Sequence, residues 1–142
     1  MTNEMSASGP LHVAARAGLA RWHAMIADLD LSRLPDLLCE HARFRSPFVW
    51  KPYEGKDAVQ MILDTVVTVF EDFKYVREFH NRTGCVLEFT ARVGDWSLYG
   101  VDLIEFDASG KIIDFEVMIR PANALQALGA EMGKRLAARA HS

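Results

Sequence analysis

The run "GCVLEFTARVGDWSLYGVDLIEFDASGKIIDFEVMIRP", residues 84–121, decides the architecture. Apolar and polar residues alternate through it with the period of two that marks half-buried strands. The alternation breaks at Gly94-Asp95 and at "DASG" (107–110), both turn signals. The pattern predicts three strands here, and "FKYVREFHNR" (73–82), closed by Thr83-Gly84, supplies a fourth. Connections this short join antiparallel neighbours, so the four strands form three consecutive hairpins, and Pro121 stops the last.

Outside this run the period changes. Between Lys56 and Phe70, Val59, Ile62, Leu63, Val66, Val67 and Phe70 recur at steps of three and four, which predicts an amphipathic helix launched by Gly55. A first helix is expected from Leu11 to about Leu29, with Ala15, Leu19, Trp22, Met25, Ile26 and Leu29 in one stripe. Asp30 is placed to cap a second, short helix carrying Leu34, Leu37 and Leu38, with Pro35 tolerable only in its first turn. "HARFRSPF" (41–48) reads as a short strand ended by Pro47, "WKPYEG" (50–55) as a loop, and "ANALQALGAEMGKRLAARA" (122–140) as a closing helix. Helices, then hairpins, then a helix is an α+β order. Two long helices cannot cover four long strands flatly. The expected shape is a cone: a curved, mainly antiparallel sheet wrapped around the N-terminal helices, hollow at one end, with an additional C-terminal helix.

The chain has 142 residues, half of them hydrophobic, and a net charge of −3 from 16 basic and 19 acidic residues scattered along it. One domain over residues 11–142 is expected, preceded by a flexible tail over residues 1–10 that Gly9-Pro10 closes. No basic stripe interleaved with aromatics points to nucleic acid. No apolar run approaches the ~20 residues of a membrane span, and the N-terminus has no secretory pattern. Cys39 and Cys85 share no metal spacing and read as two reduced thiols of a cytoplasmic protein. The five histidines, His12, His23, His41, His80 and His141, show no ligand spacing, and no cofactor signature is present. No metal or cofactor is therefore expected.

Within "LYGVDLIEFD" (98–107), Leu98, Gly100, Asp102, Ile104 and Phe106 share one face, and Tyr99, Val101, Leu103 and Glu105 the other. Asp102 is therefore expected to point into an apolar interior. There it is either a general acid or base with a pKa raised by burial, or a structural carboxyl bonded to Trp22, Ser46 or a water. Val86, Thr90, Tyr99, Val101, Leu103 and Met118 make the opposite face too apolar to stand in water. Either the C-terminal helix or a second subunit must cover it, and a two-fold homodimer is the favoured reading. Glu88, Glu105, Asp114 and Glu116 fall on that outer face as well.

The order of elements, with "RWHAMIADLDLSRLPDLLCEHARFRSPF" (21–48), "YEGKDAV" (53–59), "GVDLIEFDASGKI" (100–112) and the closing "IRP" (119–121), resembles the nuclear transport factor 2-like superfamily. Within it the chain is most similar to SnoaL-like polyketide cyclases and ketosteroid isomerases, over roughly Leu11 to Pro121. The resemblance implies the cone fold, a deep and largely apolar pocket under the sheet, and a dimer through the outer sheet face. It places Asp102 where the isomerases hold a protonated aspartic acid against a developing oxyanion. It places Ser46 where they carry the aspartate base, Trp22 where they carry a tyrosine donor, and Leu38 and Leu63 where supporting tyrosines stand. Serine does not exchange a proton near neutral pH, so that two-acid shuttle is not expected. The epoxide hydrolases' arginine falls at Gly100, which leaves the single-acid chemistry of the cyclases.

By the same resemblance the pocket is lined by Trp22, Phe44, Ser46, Leu63, Leu87, Phe89, Ile104, Phe115 and Val117. Two functions follow. One is a cyclase, isomerase or lyase acting on an apolar, carbonyl-bearing small molecule with Asp102 as acid/base. The other is a non-catalytic dimeric module that holds such a ligand in the same pocket.

Overall fold

A computed structural model describes residues 8–140; the tail expected over residues 1–10 thus lies largely outside the described residues. The elements run α1 (Val13–Asp28), α2 (Leu34–Leu37), β1 (Leu38–Arg45), β2 (Tyr53–Glu54), α3 (Lys56–Val69), β3 (Glu71–His80), β4 (Gly84–Val93), β5 (Trp96–Phe106), β6 (Ile112–Arg120) and α4 (Ala122–Ala140). Six strands form one sheet in the order β2-β1-β6-β5-β4-β3. The three hairpins read from the sequence are β3-β4, β4-β5 and β5-β6, all antiparallel. The β1-β6 pair is parallel, because the chain passes through α3 and three hairpins before returning to β1's side. No helix among the described residues is long and apolar enough to cross a membrane.

Three boundaries differ from the sequence reading. Asp30 does not cap a helix: its Oδ1 accepts from the Ser32 N–H at 3.0 Å in a local turn, and α2 starts only at Leu34 with Pro35 in its first turn. Leu38 belongs to β1, which opens three residues earlier than expected, and "WKPYEG" contains the short strand β2 paired to Arg43 and Phe44.

α1 approaches the sheet closely at Gly18, where a Cβ would stand 2.3 Å from the Gly110 carbonyl oxygen and 3.2 Å from the Phe106 ring. Nothing larger than glycine fits there without a shift. This contact presses α1 onto the Phe106 end of β5 and fills the space between them. Phe106 and Ile112 are buried at that end, and of β5 it is Asp102 that borders the cavity.

Candidate functional site

Asp102 lies in the middle of β5 on the concave face, 6 % exposed, and its carboxyl is one of very few buried polar groups among the described residues. Its Oδ2 accepts a hydrogen bond from the Tyr75 hydroxyl at 2.6 Å, and that hydroxyl in turn accepts from Trp22 Nε1 at 3.0 Å. The chain of donors runs indole to phenol to carboxyl, each with a defined direction. No hydrogen bond reaches Oδ1 among the described residues, and Asp102 lines a cavity of about 410 Å³. Burial pushes the Asp102 pKa up to about 7, against the opposing pull of the Tyr75 hydrogen bond, so the group can change charge near neutral pH. Burial, and after it the Asp102 charge, holds the Tyr75 phenol well above its ordinary value, which keeps it a neutral donor.

The sequence offers Trp22, Ser46 or a water as the partner of Asp102; in the structure Tyr75 is that partner and stands between Trp22 and Asp102. The reason lies in β3. Straight alternation would put Phe73, Tyr75, Arg77 and Phe79 together, but the strand register slips between Tyr75 and Arg77. Phe73 and Tyr75 face the cavity, whereas Arg77 turns to the outer face and forms an ion pair with Glu88. A bulge of this kind reverses the parity of every later residue. It leaves no mark in composition, so periodicity alone could not have found Tyr75.

Of the remaining expected lining residues, Phe44, Ser46, Leu63, Phe115 and Val117 border the cavity together with Trp22. Leu87, Phe89 and Ile104 do not. Leu87, directly opposite Asp102 on the neighbouring strand, and Ile104 are buried in the core that also contains Leu19 and Trp22 of α1. Phe89 is directed over Gly100, where a Cβ would come within 2.6 Å of its ring, and Phe73 stacks on it at 4.9 Å between centroids. The cavity wall on that side is therefore Phe70 and Phe73, not Phe89. Ser46 does not bond Asp102; its Oγ accepts from the Phe48 N–H at 2.9 Å, which leaves the hydroxyl proton to be donated elsewhere.

The carboxylates of the outer face take no part in the cavity. Asp114 pairs with Arg45 at 3.0 Å and Glu105 accepts from the Thr83 hydroxyl. His12 caps α1, and His23 and His80 both bond Glu78, at 2.8 Å and 2.6 Å. His141 lies outside the described residues. Among the described residues no cluster of three potential metal ligands occurs.

A curved sheet closed at one end by α1, with a single buried acid at the base of its opening, places the chain among the cone-shaped, cystatin-like α+β folds. Known structures agree. A steroid delta-isomerase of Pseudomonas aeruginosa is 55 % identical, with a TM-score of 0.92 over 95 % of this chain and 100 % of that one. A protein of Silicibacter pomeroyi with a cystatin-like fold is 36 % identical, with a TM-score of 0.82 over 87 % of this chain and 88 % of that one. An NTF2-like protein of Mesorhizobium loti, 16 % identical with a TM-score of 0.67, covers 80 % of this chain and 100 % of its own, and shares the fold. No protein-family model matches the chain, and no curated protein sequence does. The chain belongs to the nuclear transport factor 2-like superfamily, in its SnoaL-like, ketosteroid isomerase-like branch.

Proposed function

We propose that the cavity binds an apolar, carbonyl-bearing small molecule and that Asp102 exchanges a proton with it through Oδ1. The observation that carries this reading is the half-committed carboxyl: Oδ2 is held by Tyr75 while Oδ1 lies open at the cavity. Trp22 and Tyr75 are positioning residues, because the single N–H and the single O–H they possess are both spent on the chain to Asp102. Ser46 is the group with a proton free to orient a ligand oxygen. The likeness to a steroid delta-isomerase supports an apolar ligand. Ser46 in the position of the isomerases' base argues against their two-acid shuttle, and it favours, as a second reading, a module that holds the ligand without turnover.

The test uses a methyl ketone in deuterated buffer, followed by NMR for exchange of the protons next to the carbonyl. Asp102 acting as base removes one of those protons and returns a deuteron, so wild type should accelerate exchange and Asp102→Asn should lose the acceleration while still binding the ketone. Exchange no faster than in buffer, with binding intact, would establish the holding module instead.

Two copies are proposed to pair through the outer sheet face. α4 packs with Phe89 and Leu98 on the concave side, so it is not available to cover Val86, Thr90, Tyr99, Val101, Leu103 and Met118. Met118 is 50 % exposed in the single chain, and Val76 and Phe79 of the edge strand β3 are exposed as well. The two free thiols, Cys39 and Cys85, suit a cytoplasmic setting.

A further inference from the structure

The inward side chains fall into two packed groups. One is gathered by α1, α2 and β1 and contains Trp22, Leu87, Ile104 and Phe115. The other is gathered by α4 and contains Phe89, Leu98, Leu128 and Met132. Ile62, Val66, Tyr75 and Val117 touch both groups, and all four line the cavity. The cavity is thus the gap left where two separately packed cores meet. Trp22 borders it from one core, and Leu128, Met132 and Leu136 of α4 border it from the other.

We infer that α4 is the element that selects the ligand: Leu128, Met132 and Leu136 form an end wall that limits how long an apolar ligand can be when its oxygen sits at Asp102. This deepens the function proposed above and rests on it. The wall presents only hydrocarbon and one thioether, so the ligand end that meets it is an alkyl or alicyclic group with no polar substituent. The wall is also fixed in place. Arg135 Nη1 donates to the Thr68 carbonyl at 2.7 Å and to its hydroxyl at 3.0 Å, and Arg139 Nη1 donates to the Thr65 hydroxyl at 2.8 Å, tying α4 to α3. On its other flank, Phe48 of the β1-β2 loop packs over Gly129, where a Cβ would lie 2.9 Å from the ring. A helix held on both sides cannot retreat to make room. A rigid apolar stop discriminates by length, because a ligand that outgrows it must leave carbons in water or displace packed side chains.

The experiment is a series of straight-chain methyl ketones of increasing length, competed against the fluorescent probe 1-anilinonaphthalene-8-sulfonate. Each methylene buried in the cavity should tighten binding roughly fourfold until the wall is reached, and further carbons should add nothing. Met132→Ala removes three heavy atoms from the wall, so the limit should move out by about two or three carbons and ketones of those lengths should bind roughly tenfold tighter or more. Leu136→Ala, at a half-buried position less costly to truncate, should move it in the same direction, and Met132→Phe should shorten it. Leu125→Ala, on the same helix and away from the cavity, should leave it unchanged. A limit that stays put in Met132→Ala and Leu136→Ala while wild type binds the series would overturn the wall and leave the role of Asp102 standing. Failure of every ketone to bind wild type would remove both.

Discussion

Replacing Asp102 by Asn should make the protein's stability less dependent on pH, and the size of the change follows from the site. In the unfolded chain the carboxyl has its ordinary pKa of 3.8, and in the fold it titrates at about 7. Between those values the folded protein holds a proton that the unfolded chain has lost. Stability is therefore full below the unfolded pKa, falls as pH rises, and levels off above the folded pKa. The whole difference corresponds to about 4 kcal/mol, of which about 3 kcal/mol falls between pH 5 and pH 8. Asparagine keeps the size of the side chain, still accepts from Tyr75, and never ionises. Thermal melts of both proteins at pH 5, 6, 7 and 8 isolate the effect, because the two differ in this one group and every other contribution is common to both. Relative to the variant, wild type should lose about 10 °C of melting temperature across that range. Parallel profiles, or a wild type that gains on the variant as pH rises, would refute the idea that an unpaired buried acid stands at the base of the cavity.

Tyr75→Phe removes the donor that favours the ionised carboxyl, so the Asp102 pKa should climb above about 7, by about one to two pH units; a carbon-13 titration of the Asp102 carboxyl reads this directly. The same variant strands the Trp22 N–H and should cost about 1–3 kcal/mol of stability in denaturant melts. Gly100→Ala should destabilise by about 1–3 kcal/mol, since the new Cβ meets the Phe89 ring at 2.6 Å and the Met118 carbonyl oxygen at 2.7 Å; an unchanged midpoint in urea would show that the ring moves aside freely. Val101→Glu, in the centre of the outer face, should convert the proposed dimer to a monomer in sedimentation at micromolar concentration while the helical circular dichroism stays as in wild type.

Much of the fold was legible because it depends on periods that act locally. The repeat of three and four in α3 and the repeat of two in β4, β5 and β6 each mark which side chains leave water, whatever partner they later meet. Asp102 was legible for the same reason, since alternation along β5 has no break until after Glu105. Tyr75 was not, because the slip in β3 depends on how that strand pairs with β4. The α4 wall was not legible either. Leu128, Met132 and Leu136 recur at steps of four, yet such spacing tells only that a face is covered, not what covers it.

The amino-acid order by itself determined the element types, the hairpin succession and the inward turn of one acid, since these follow from residues a few positions apart. Only the tertiary structure decided that Tyr75 separates Trp22 from Asp102, that Leu87, Phe89 and Ile104 pack away from the cavity, and that α4 ends it. Those outcomes depend on contacts between residues distant in the chain, such as Gly18 with Gly110 and Gly129 with Phe48. Whether two packed cores meet flush or leave a gap is a matter of shape in three dimensions, which no local period encodes.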